Sequence, residues 1–122
     1  MTHLLDSVVV IDHFNGVAEA SALLARVHGR ACVSVITRAE VLVGFDAQAA
    51  ARALPLLDAF PTLGIEREDA DAAAELRRLH RWKLPDAFQA ALAVRHGLRL
   101  VTRNTRDFDP ARHAFVEVPY TL

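Results

Sequence analysis

Leu4-Leu5-Asp6-Ser7-Val8-Val9-Val10-Ile11 is an apolar, β-branched run with no clean period-two alternation, and a single acid interrupts it. A strand with one wet face alternates; a strand covered on both faces by helices need not. The run therefore predicts a buried strand of a parallel sheet, whose neighbours are reached by crossover connections, usually helical. Its second half could instead open a helix, because Asp6-Ser7 can cap one.

The rest of the chain supplies such crossovers. Val17–His28 carries Ala20, Leu23, Leu24 and Val27 at the i, i+3, i+4, i+7 spacing of one helical face, and Gly29 suits its stop. Ala31–Ile36 reads as a second buried strand. Thr37–Gly44 reads as a helix, and Thr37-x-x-Glu40 matches a capping box. Ala47–Phe60 is a further helix with a kink or break at Leu54-Pro55, and Leu63–Ile65 a short strand. Glu68–His80 is helical, with Ala72, Leu76 and Leu79 on one side. Pro85–His96 is a helix opening on proline and stopping before Gly97. Leu98–Thr102 is a strand and Phe115–Val118 a weaker one. This alternation predicts an α/β fold, a three-layer α/β/α sandwich with a mostly parallel central sheet. With 122 residues, 52% of them hydrophobic, and no repeat or shift in composition, one domain spanning 1–122 is expected.

Several function classes drop out. Cys32 is the only cysteine, which rules out an internal disulfide and points to a reducing cytoplasm. The apolar runs are too short to span a bilayer, and Met1–Asp12 lacks the basic start of a secretory signal. The six histidines form no i,i+4 pair and no Cys–His zinc spacing. There is no Gly-rich phosphate loop and no Gly-x-Ser-x-Gly elbow. A phospho-receiver module needs a lysine near its last strand, whereas the sole lysine, Lys83, precedes a helix. A net charge of −1 excludes a broadly basic surface but leaves room for a local basic groove.

Ligands of open parallel sheets bind beyond the carboxyl ends of the strands. Asp6 lies at the end of the first strand, Glu40 in the helix after the second, Asp86 in the first turn of the helix before the Leu98–Thr102 strand, and Asn104 and Asp107 in the loop after that strand. Carboxylates gathered this way disfavour one another's charge, and a hard divalent cation such as Mg²⁺ or Mn²⁺ resolves the conflict. Each acid also has a bland reading: Glu40 as the far half of a capping box, Asp86 facing a helix dipole, Asp107 as a turn former. Asp6, set among Leu and Val, must cap or coordinate something. Asp12, Asp58, Asp69, Asp71 and Asp109 read as surface, cap or turn residues.

Four segments carry a family likeness: Leu4-Leu5-Asp6-Ser7, Val33–Glu40, Lys83-Leu84-Pro85-Asp86-Ala87 and Leu100–Phe108. In their order and separations the chain resembles the PIN-domain ribonucleases, specifically the VapC-type toxins of bacterial toxin–antitoxin pairs. The resemblance implies a metal-dependent endoribonuclease that holds Mg²⁺ or Mn²⁺ with three or four acids. Asp6, Glu40 and Asp86 fall on the three defining acidic positions. For the fourth, Asn104 occupies a place that carries Asp in many PIN domains, and Asp107 lies three residues on. Ser7 and Thr102 match the small hydroxyls beside the first acid and at the end of the fourth-acid strand. Where the family commonly follows the first acid with Thr-Asn, this chain has Ser7-Val8, which implies weaker metal binding or attenuated activity. The resemblance further implies a VapB-like antitoxin partner and a homodimer; the Ala- and Leu-rich helices 17–28 and 47–60 would offer self-association surface or simply core.

An RNA strand needs positive charge and flat surfaces beside the acids. Arg77–Lys83 provides cations and the Trp82 indole just ahead of Asp86, although a run of cations at a helix end also favours the macrodipole. Arg38, Arg81, Lys83, Arg103 and Arg106 are the candidate RNA contacts, and Arg38 could equally serve an ion pair. A second reading is a degenerate PIN domain acting as an RNA- or protein-binding regulatory module.

Overall fold

Successive residues of a strand point to opposite faces of its sheet, and Leu4 and Leu5 do so here, each completely buried in a different apolar core. The computed structural model describes all of residues 1–122. Its five strands are β1 (His3–Leu5), β2 (Ala31–Ser34), β3 (Thr62–Leu63), β4 (Arg99–Val101) and β5 (Val116–Glu117). They form one sheet in the order β3-β2-β1-β4-β5, parallel throughout, with Leu4 registered between Cys32 and Leu100. Six helices accompany them: α1 (Ser7–Phe14), α2 (Ala18–Val27), α3 (Val35–Val43), α4 (Ala47–Asp58), α5 (Arg67–His80) and α6 (Leu84–His96).

Leu5, Val33 and Val101 face one core, filled by Val9 and Val10 of α1, Leu23 and Leu24 of α2, Val41 of α3 and Leu57 of α4. Leu4, Cys32, Leu100 and Val116 face the other, where Leu92 of α6, Trp82 and Phe108 pack. Each such buried side chain contributes roughly 1.5–3 kcal/mol. The result is the expected α/β/α sandwich with a parallel sheet. The buried face of α2 is wholly absorbed by the core.

The Leu4–Ile11 run follows its second reading: β1 ends at Leu5, and Asp6 caps α1 by accepting the Ser7 N–H at 2.9 Å. Four local expectations are corrected. The second strand likewise stops at Ser34, whose hydroxyl accepts the Thr37 N–H at 3.1 Å and caps α3 two residues earlier than the Thr37 start. The capping box of Thr37 and Glu40 therefore does not form, because Glu40 lands in the second turn. Pro55 does not break α4, which runs unbroken to Asp58; its final turn is held by Leu57 in the core and by the packing of Leu56 against it. Finally, Leu84 rather than Pro85 opens α6, which places Asp86 third in the helix.

Candidate active site

The sheet order reverses direction between β1 and β4, which opens a crevice beyond their carboxyl ends. Each strand is followed at once by a polar side chain, Asp6 after β1 and Thr102 after β4. An open cleft of about 440 Å³ lies there, lined by Asp6, Ser7, Val8, Asp86 and the Arg103–Arg106 segment.

Asp6 is 4% exposed. Its Oδ1 accepts the Ser7 N–H at 2.9 Å and a Gln89 Nε2 hydrogen at 3.3 Å, and its Oδ2 accepts the Thr102 hydroxyl at 2.7 Å. A carboxylate offers about four lone-pair directions, so these bonds leave capacity for one more partner. Burial raises the Asp6 carboxyl above the ordinary aspartate range, while the three donors pull against that shift. Glu40, on α3, accepts the Ser7 hydroxyl at 3.1 Å; burial raises its carboxyl, the Ser7 bond opposes this, and the charge of Asp6 adds to it.

Asp86, half-buried in the first turn of α6, senses all the others. Its carboxyl is pushed up to about 6, first by burial and then by the charges of Asp6, Asp107 and Glu40, with Lys83 opposing. Asp107 takes a hydrogen bond at 3.1 Å from the Asn104 side chain. Asp6, Glu40 and Asp107, from three other segments of the chain, thus all act on the Asp86 carboxyl. The four acids do not by themselves close a three-ligand cage. An all-oxygen donor set with excess negative charge fits a hard divalent cation that keeps several of its waters.

The supporting residues fall around these acids. Ser7 bridges Asp6 and Glu40, Thr102 binds Asp6, and Asn104 steadies Asp107 while its own N–H donates to the Thr102 hydroxyl at 3.0 Å. Val8 contributes an apolar patch to the cleft.

The basic residues divide. Arg106 lines the cleft, and Arg81 lines a neighbouring open groove of about 440 Å³ with Arg77 and Arg78. Arg103 also lines the cleft, but its guanidinium is committed to Asp12. Arg38 pairs with Asp58 at 2.8 Å. Trp82 is no exposed stacking platform. It is 4% exposed, packs on Phe108, and donates its indole N–H to the Asp107 carbonyl at 3.0 Å. It anchors the acidic loop from beneath.

Among the acids read as surface, cap or turn residues, Asp12 is buried instead and pairs with Arg103, whereas Asp69 is a cap, accepting the Glu66 N–H at the start of α5, though a buried one that also pairs with Arg95 at 2.6 Å. Sequence reasoning missed Gln89 entirely. The one available signal was a lone amide in the Ala-rich stretch Ala87–Ala93, one turn after Asp86.

The PIN domain family profile matches residues 3–114. The chain belongs to the PIN-domain family. This PIN domain is 34% identical to a chain of a toxin–antitoxin complex from Klebsiella pneumoniae, with a TM-score of 0.90 over 99% of this chain and 100% of that one. Its fold is also that of FitAcB from Neisseria gonorrhoeae, at 24% identity and TM-score 0.80 over 99% and 100% of the two chains. VapBC2 from Rickettsia felis, bound to a promoter DNA fragment, matches at 18% identity and TM-score 0.78 over 96% and 98%. No curated protein sequence matches the chain. No helix is long and apolar enough to cross a membrane.

Proposed function

We propose that this PIN domain is a metal-dependent endoribonuclease and the toxin of a type II toxin–antitoxin pair, acting in the cytoplasm. The observation that carries the reading is the setting of Asp86: a half-buried carboxyl raised to about 6 by burial and then by the charges of Asp6, Asp107 and Glu40, with only Lys83 opposing. Uncompensated repulsion of this kind is what a divalent cation relieves. Similarity to a chain of the Klebsiella complex over nearly the full length supports the toxin role and a VapB-like antitoxin as partner.

Asp6 and Asp86 would hold Mg²⁺ or Mn²⁺, with Asp107 completing the set. When bound, the ion supplies an activated water and neutralises charge on the scissile phosphate. Glu40, held by Ser7, faces the same acids and serves as ligand or as acceptor of the water's proton. Asn104 fixes Asp107. Arg106 in the cleft, Lys83 ahead of Asp86 and the Arg77–Arg78–Arg81 groove would grip the phosphates of a single-stranded or looped RNA. A homodimer belongs to the same reading.

The deciding experiment is cleavage of labelled single-stranded RNA by the purified chain during a Mg²⁺ or Mn²⁺ titration, with EDTA as control and Asp6→Asn alongside. Metal-dependent cutting that is absent in Asp6→Asn is the expected result. A chain that binds RNA yet never cuts it would favour the regulatory-module reading, and full cleavage by Asp6→Asn would overturn the assignment of Asp6.

A further inference from the structure

We propose that Gln89 is a positioning residue that fixes the Asp6 carboxylate and ties together three of the four acid-bearing segments, those of Asp6, Glu40 and Asp86. The inference rests on the reading of Asp6 and Asp86 as ion-holding groups. Gln89 has no exposed surface, and neither do Ser34 and Thr37 beside it. Side chains this polar are buried without cost only when every hydrogen finds an acceptor, and no buried polar side-chain atom in the molecule lacks a partner.

The hydrogens can be followed in one direction. Ser34 Oγ accepts the Thr37 N–H, so its own proton goes to Gln89 Oε1 at 2.6 Å. Thr37 Oγ1 donates to the Leu5 carbonyl at 2.8 Å and therefore accepts from Gln89 Nε2 at 2.7 Å. The second Nε2 hydrogen is left for Asp6 Oδ1 at 3.3 Å. A flipped amide would set its carbonyl oxygen against the Asp6 carboxylate, so the network admits a single orientation. With Thr102 donating to Oδ2 and the Ser7 N–H to Oδ1, donors from the start of α1, the interior of α6 and the end of β4 hold the Asp6 carboxylate against rotation.

Gln89 lies three residues after Asp86, on the same side of α6. The amide that orients Asp6 thus rides on the helix that carries Asp86. Through Ser34 and Thr37 it also grips the first turn of α3, and Thr37 lies one turn before Glu40. Any slip of α3 or α6 against β1 has to break this hub.

The test compares Gln89→Met, close in volume but without donors, with Thr37→Val, which disrupts the same buried hub but leaves the Gln89–Asp6 bond. Both are read by Mn²⁺ affinity from electron paramagnetic resonance, by kcat and KM on single-stranded RNA, and by thermal unfolding. Loss of a residue that orients a metal ligand typically costs 10–100-fold in affinity or activity. Gln89→Met is expected to weaken Mn²⁺ binding and lower kcat by about that factor, with KM within ~2-fold. Thr37→Val is expected to lose comparable thermal stability while keeping Mn²⁺ affinity within ~3-fold. Should Gln89→Met fail to fold, Gln89→Asn, which draws the donor back from Asp6, is read the same way. Wild-type Mn²⁺ affinity in the Gln89 variant, or an equal loss in Thr37→Val, overturns the inference alone. A wild-type chain that neither binds Mn²⁺ nor cuts RNA overturns the nuclease reading and this inference with it.

Discussion

Arg103 closes two parallel hydrogen bonds on Asp12, Nε to Oδ2 at 2.7 Å and Nη2 to Oδ1 at 2.8 Å, and so joins the loop after β4 to the far half of α1. The Tyr120 hydroxyl donates to the same Oδ2 at 2.8 Å. This clamp sits one residue from Asn104 and holds the base of the segment that carries Asp107. Arg103→Met should lower stability by about 1–2 kcal/mol, because it strands a nearly buried Asp12, and the partial exposure of Arg103 moderates the cost. Arg103→Lys should recover less than half of that loss, since an ammonium cannot form the two-pronged pair. Urea unfolding of the two variants checks both statements.

Acid should weaken the fold through Asp12 and Asp69. The Arg103 and Arg95 guanidiniums, through their hydrogen bonds, hold these carboxyls below the ordinary aspartate value of 3.8. For a depressed acid the stabilisation is fully present above the unfolded value and is lost as pH falls through the folded one. Thermal unfolding should therefore drop steeply below about pH 4, and the drop should flatten in an Asp12→Asn, Asp69→Asn double variant. An unchanged slope in the double variant would contradict this.

Asp86 behaves in the opposite sense. Its folded carboxyl sits at about 6, above the ordinary 3.8, so ionising it costs stability at neutral pH. In metal-free protein, Asp86→Asn should raise Tm at pH 7 by roughly 3–5 °C and abolish RNA cleavage. The gain should shrink toward pH 4, where the native carboxyl is itself protonated. In NMR titrations of metal-free protein, Asp107→Asn should lower the Asp86 midpoint, because one of the repelling charges is gone.

Arg81 ends α5 in the left-handed region, with φ of 60°, and is the one non-glycine residue to do so. Arg81→Gly should relieve that backbone and stabilise the fold by roughly 0.5–1 kcal/mol. The same change removes a cation from the groove shared with Arg77 and Arg78, so KM for RNA should rise several-fold. Stability and substrate affinity moving in opposite directions would be unlike an ordinary structural substitution, and both are read on one purified sample.

The layered architecture was legible because its signals are local. Double-sided burial marked the strands, and the spacing of Leu23, Leu24 and Val27 marked α2. Element ends were harder, because Asp6 and Ser34 each turn a strand directly into a helix with a side-chain cap, and β-branched residues such as Val8–Val10 and Val35–Ile36 suit either state. The acids could be assigned to one sheet edge from their places after predicted strands and in the opening turns of predicted helices. What holds them could not: the Gln89 hub, the Asp12–Arg103 pair and the inward Trp82 join residues 25 to 91 positions apart, a distance that periodicity does not report.

Because β1 lies between β2 and β4, its last partner is supplied some 95 positions downstream, at Arg99–Val101. No hairpin can stand in for it in an all-parallel sheet. A ribosome making this chain thus carries a product whose first acid waits, without Thr102 or Gln89, until about a hundred residues have followed it. The topology acts as a timer: the carboxylates meet only once β4 has emerged.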